Sequence, residues 1–194
     1  MLAWRFVLGA LLLLLSGCQS TAFDHPLGSP EQGIVVPSLE GHWTLLEQGK
    51  ATEQVTIRRL PDHPLYALYS QEQPQPLIHF YIVDFKGHHF WHMLPDTPLN
   101  QPYPPFYLLL LGKQVGTKLT LSLLNPERIS NDLQSGLLAG SYPSPCQPQQ
   151  PCKRHKEHLA IKTTTAKLQS YFAHVGSAPF NLKVVTLTKK RVTP

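Results

Sequence analysis

Catalytic signatures are missing from this chain of 194 residues. Gly-x-Ser-x-Gly, Ser-x-x-Lys, His-Glu-x-x-His and a Cys/His pair do not occur. Asp84 and Glu157 are isolated carboxylates, with no spacing that implies an acid/base pair. The chain therefore reads as a non-enzyme that needs neither cofactor nor metal. It also lacks an apolar run long enough to span a bilayer, since the stretch from Phe6 to Leu15 falls short of the roughly 20 residues required. Lys and Arg number 17 against 12 Asp and Glu, but the excess is scattered apart from Lys153-Arg154 with Lys156 and Lys189-Lys190-Arg191. A nucleic-acid binder needs a basic stripe interleaved with aromatics, so that class is excluded. There is no internal repeat, and only 3 cysteines are present.

What is there begins at the N-terminus. Arg5 is the only charge ahead of Val7-Leu8-Gly9-Ala10 and Leu11 to Leu15, and small residues follow. A basic start, a short apolar core and a small-residue end predict a secretory signal. Leu15-Ser16-Gly17-Cys18 resembles the lipobox of bacterial lipoproteins. That resemblance implies cleavage between Gly17 and Cys18, a diacylglycerol on the Cys18 sulfur, and acylation of the freed amine with palmitate-type chains. Two or more chains hold a protein stably in a membrane. Gln19 follows, with no Asp to signal inner-membrane retention. By resemblance this implies the outer membrane of a Gram-negative cell, with the body facing the periplasm. An ordinary signal peptide with an incidental Cys18 is the competing reading.

Cleavage leaves 194 − 17 = 177 residues, enough for one domain with a real core, at a net charge of 16 − 12 = +4. With Cys18 lipidated, Cys146 and Cys152 remain as an even pair in an oxidising compartment, which predicts a disulfide across a small Pro-rich loop. The competing reading adds His155 and His158 as zinc ligands, but Cys-x5-Cys-x2-His-x2-His misses the usual spacings.

Residues 18–39 are rich in Ser, Pro and Gly and predict a flexible tether. From residue 40 to 191, short alternating runs separated by turn residues predict an antiparallel sandwich or barrel. Leu77 to Phe85 and His88 to Leu94 flank a tight reversal at Lys86-Gly87. Leu119, Leu121 and Leu123 share one face of another strand. Asn125 and Pro126 open a short helix with Ile129 and Leu133 on one side. Thr165 is the expected cap of a C-terminal helix with Leu168, Phe172 and Val175 as its stripe, ended by Gly176, and a last strand follows over 180–188. Gly41-His42-Trp43 matches the Gly-x-Trp of the first lipocalin strand, and the order of elements resembles a lipocalin-like (calycin) barrel. A similar pattern marks a loose group of uncharacterised bacterial lipoproteins with no assigned activity. The second lipocalin motif, Thr-Asp ahead of a Tyr, is absent. The fold expected is mainly β: an antiparallel lipocalin-like barrel with a short internal helix, a C-terminal helix and a closing strand.

Trp43, Tyr66, Phe80 and Trp91 either line a cavity for a small hydrophobic ligand or fill the barrel, which at eight strands has little spare room. His88 and His92 share a strand face, as solvent-facing histidines beside a hairpin or as a metal-binding or pH-sensitive pair. The leading expectation is a non-catalytic module for an envelope protein or surface partner; the alternative is a carrier of a hydrophobic small molecule. Replacing Cys18 with Ser should leave the precursor unprocessed and free of acyl label in metabolic labelling. A Cys18→Ser protein that still labels and stays anchored contradicts the lipobox reading.

Overall fold

The short alternating segments fold as strands, because each presents apolar side chains to one face every second residue. A computed structural model describes residues 21–47, 49–94, 107–140 and 159–189. Its elements are β1 (Thr21–Phe23), β2 (Gly41–Glu47), β3 (Lys50–Arg59), β4 (Leu65–Ser70), β5 (Pro76–Phe85), β6 (His88–Leu94), β7 (Tyr107–Val115) and β8 (Lys118–Leu123). These are followed by helix α1 (Pro126–Gln134), β9 (Leu159–Ile161), helix α2 (Thr165–Val175) and β10 (Leu182–Lys189). Strands β2 to β8 form an antiparallel meander. β10 fills the gap between β8 and β2, and β6 pairs with β7, closing a barrel of eight strands. β1 pairs with the start of β7 on the outside of this ring, and β9 adds to β1 in parallel.

Local chemistry sets the turns and caps. Lys86 and Gly87 both adopt positive φ, 53° and 76°, the two-residue hairpin geometry whose twist matches the strands it joins. The Asp84 carboxylate accepts from the Gly87 N–H at 3.0 Å and secures the reversal. Asn125 caps α1 by accepting from the N–H groups of Glu127 and Arg128, with Pro126 at the first helical position. The second helix starts one residue earlier than expected: Thr164 is its cap, accepting from Lys167, while the Thr165 hydroxyl donates to the Pro26 carbonyl.

Two buried clusters divide the core. Inside the barrel lie Trp43, Val55, Ile57, Tyr66, Phe80, Ile82, Trp91, Leu119, Leu121 and Leu187. On the outside of β5, β6 and β7, Tyr81, Val83, Phe90, Leu94 and Leu109 pack against Phe23, Leu27, Ile161, both helices and Phe180. Adjacent residues on one strand therefore serve different cores. Each large side chain fully buried in either cluster contributes about 1.5–3 kcal/mol of transfer free energy.

The expectation of a flexible tether over residues 18–39 is corrected from Thr21 onward. Phe23, Leu27 and Leu39 are buried, and the segment forms a strap. Its first part lies on the outer wall. Its second part crosses the barrel end where β2 and β4 begin: Ile34 N–H donates to the Ile82 carbonyl at 2.8 Å, and Val36 N–H to the Tyr66 hydroxyl at 2.7 Å. The polar composition concealed this, because the few apolar side chains are spaced by turns and not by a regular period.

Inside the barrel, Gly112 leaves space that Trp91 occupies. A Cβ at position 112 would meet the indole Nε1 and lie 2.7 Å from its Cδ1. The Gly112→Ala substitution should destabilise the fold by roughly 1–3 kcal/mol in urea unfolding, as overpacking does. Combined with Trp91→Phe it should cost less than the sum of the two single changes. Strict additivity would refute the contact.

Candidate functional site

Trp43, Tyr66, Phe80 and Trp91 are brought together, and together they fill the barrel. The rings of Tyr66 and Phe80 stack at 5.3 Å, and those of Phe80 and Trp91 at 4.6 Å. Their exposures are 1% for Trp43, 0% for Tyr66, 1% for Phe80 and 3% for Trp91, so all four rings are buried. The barrel end is sealed around Trp43. Its indole N–H donates to the Leu39 carbonyl at 2.7 Å, and the Lys189 ammonium sits 5.6 Å above the ring while donating to the Ser38 carbonyl. Burial raises the Tyr66 pKa, which keeps its hydroxyl protonated above the strap.

His92 behaves differently from the solvent-facing histidine expected from its position near a hairpin. It is fully buried, because its face of β6 is the outer wall that the strap covers. Its Nε2 accepts from the Leu27 N–H at 3.1 Å, and its ring stacks on Tyr81, the cross-strand neighbour, at 4.6 Å. The Tyr81 hydroxyl donates to the Gly28 carbonyl at 2.9 Å. An acceptor at Nε2 requires a neutral imidazole protonated on Nδ1. Desolvation pushes its pKa down to about 3. His88 lies at the edge of the same face, its ring edge-on to Phe90, and His89 faces Asp84 at 3.6 Å. Among the described residues, no three His, Cys, Asp or Glu side chains gather as a metal site. Cys18, Cys146, Cys152, His155 and His158 lie outside the described residues.

A second polar cluster, which the linear sequence does not signal, links the helices. The Tyr171 hydroxyl donates to the Asp132 carboxylate at 2.6 Å, and Arg128, one turn before Asp132 on α1, donates to the same oxygen at 3.1 Å. Burial and the adjacent carboxylate both push the Tyr171 pKa up, so the phenol stays a donor at any physiological pH. Behind Tyr171 opens a surface cleft of about 330 Å³. Gly136, Leu137 and Leu138 form one side and Lys167, Ser170 and His174 of α2 the other. The Ser170 hydroxyl donates to the Ala166 carbonyl of its own helix and has no base beside it within hydrogen-bonding range among the described contacts. Compared with protein-family models, curated proteins and solved structures, the chain matches none significantly. The site must therefore be read from its own geometry.

His92 supplies a pH test. The unfolded chain binds a proton below the ordinary pKa of 6.5, and the folded chain only near 3. The stability contributed by neutral His92 is complete above pH 6.5. It should fall by about 1.4 kcal/mol per pH unit on acidification, until both states are protonated near pH 3. Denaturant titrations across this window should show a shallower slope for His92→Gln, whose amide oxygen can still accept from Leu27. An equal slope in both proteins rules out His92 as the source.

Proposed function

We propose that the chain is a lipid-anchored lipoprotein of the outer membrane, facing the periplasm. It works without catalysis, by presenting its outer surface to an envelope partner. Residues 1–17 are its signal peptide, Cys18 its lipid attachment point, and Cys146 and Cys152 its disulfide. The observation that carries the interaction reading is the filled barrel. Four aromatic residues that could have lined a ligand chamber are stacked on one another and buried. A carrier of hydrophobic small molecules needs an interior of several hundred cubic ångströms, and that volume is occupied here by Trp43, Tyr66, Phe80 and Trp91. Among the described residues, buried His92, Tyr66, Tyr81 and the Asp132–Tyr171 pair are engaged in holding segments together. Val35, Val115, Leu137 and Leu182 are apolar side chains exposed to solvent.

Native mass spectrometry of residues 19–194, exported to the periplasm without the anchor, should give the bare protein mass. A discrete bound apolar compound whose retention changes with Trp91→Ala would overturn the filled-barrel reading and make the carrier function primary.

A further inference from the structure

The cleft beside Tyr171 has a rigid frame. Gly136, at a φ of 73°, follows the end of α1 in the left-handed conformation that glycine tolerates, and turns the chain toward α2. Leu138 is buried in the outer cluster, and its N–H donates to the Asp132 carbonyl at 3.0 Å. Tyr171, Asp132 and Arg128 tie the two helices together behind it. Leu137, Leu138 and Ala139 thus form a fixed apolar wall, with Leu137 left 42% exposed.

The opposite wall is one face of α2. Lys167, Ser170, Tyr171 and His174 recur at helical spacing, so they line the cleft as a single stripe. Among the described residues, neither Lys167 nor His174 has an ion-pair partner. No residue lining the cleft is acidic, and residues 159–189 contain no Asp or Glu. The Asp132 carboxylate is already engaged by Tyr171 and Arg128. An ammonium and an imidazole, which carries an N–H donor whether neutral or protonated, therefore face an apolar wall with no anion of the protein's own between them.

Size and spacing narrow the occupant. A cleft of about 330 Å³ lies at the lower end of the volumes that hold a ligand, which suits a few side chains of a short segment. Lys167 and His174 are 174 − 167 = 7 residues apart, or about 10 Å along α2 at the helical rise of roughly 1.5 Å per residue. An extended polyproline II segment has about three residues per turn and rises about 3.1 Å per residue, so side chains three apart share a face at about 9 Å.

We infer that the cleft takes an extended segment of a partner protein, carrying two acidic residues three positions apart with an apolar residue between them. One carboxylate meets Lys167 and the other His174, while the apolar side chain packs on Leu137 and Leu138. The site rests on the interaction reading above and gives it a face and a partner chemistry.

The test is fluorescence anisotropy at low salt, with the full chain in a neutral detergent and the capped peptide Pro-Glu-Pro-Leu-Glu-Pro carrying an uncharged dye. The peptide should bind, its Gln-for-Glu counterpart should not, and one with adjacent glutamates should bind several-fold more weakly. Lys167→Gln and His174→Ala should each weaken binding about five-fold. Together they should weaken it about 25-fold, since sites this far apart act additively. Ser170 is exposed and bonds to its own helix, so Ser170→Phe should fill the cleft and abolish binding with an unchanged urea midpoint. Equal binding of the Glu and Gln peptides, or unaltered affinity in the Lys167/His174 double variant, overturns the inference. Native mass spectra of the same sample keep the two ideas apart. An apolar compound retained through Trp91 refutes the interaction reading, whereas a bare protein indifferent to the peptide refutes the cleft assignment alone.

Discussion

Three neighbouring strands that are apolar on both faces set the architecture of this protein. On β5, Phe80 and Ile82 point into the barrel while Tyr81 and Val83 point out, and all four are buried. On β6, Trp91 faces inward, and Phe90 and Leu94 face outward. A strand of this kind cannot leave either face to water without losing about 1.5–3 kcal/mol for each large side chain. The barrel covers the inner face. The outer face requires a second layer, and the chain builds one from the strap, β9 and the two helices.

That layer has polar costs, which it meets locally. A strap crossing a sheet cannot bond to a strand edge along its whole length, so its N–H and C=O groups need other partners when buried. The neutral imidazole of His92 accepts from Leu27, and the Tyr81 hydroxyl donates to Gly28. Gln169 of α2 donates to the Leu27 carbonyl at 2.9 Å. At the barrel end, the Tyr66 hydroxyl accepts from the Val36 N–H and the Lys189 ammonium donates to the Ser38 carbonyl. Two of these side chains, His92 and Tyr66, look like candidates for metal or ligand binding in the linear sequence. In three dimensions each serves as a fastener between the strap and the barrel.

The barrel was legible from the residues. Alternation along Lys118–Leu123, the Lys86-Gly87 reversal and the Asn125-Pro126 cap are local signals, and each appears where its chemistry places it. The closing strand and the C-terminal helix were likewise readable from Thr164-Thr165, Gly176 and the alternation beyond Phe180, with cap and bounds shifted by one or two residues. The strap was not legible. Its anchoring residues, Phe23, Leu27 and Leu39, are too far apart to make a period, and the Pro and Ser between them read as linker. His92 was misplaced for a related reason: alternation says which residues share a face, but not whether a distant segment covers it. The meeting of Asp132 with Tyr171, 39 positions apart, likewise depends on tertiary packing.

The position of β10 bears on how the chain acquires this form. β10 is the last strand of the barrel, yet it supplies the seam between β8 and β2, elements separated from each other by most of the domain. A polypeptide that emerges N-terminus first has nothing to zip against along one side of β2 until β10 arrives. Closing so long a loop is slow, because its entropy is lost before the contacts that reward it are made. The barrel therefore cannot lock before β10 has emerged. The same connectivity that makes the finished ring edgeless keeps the nascent chain open until β10 joins it.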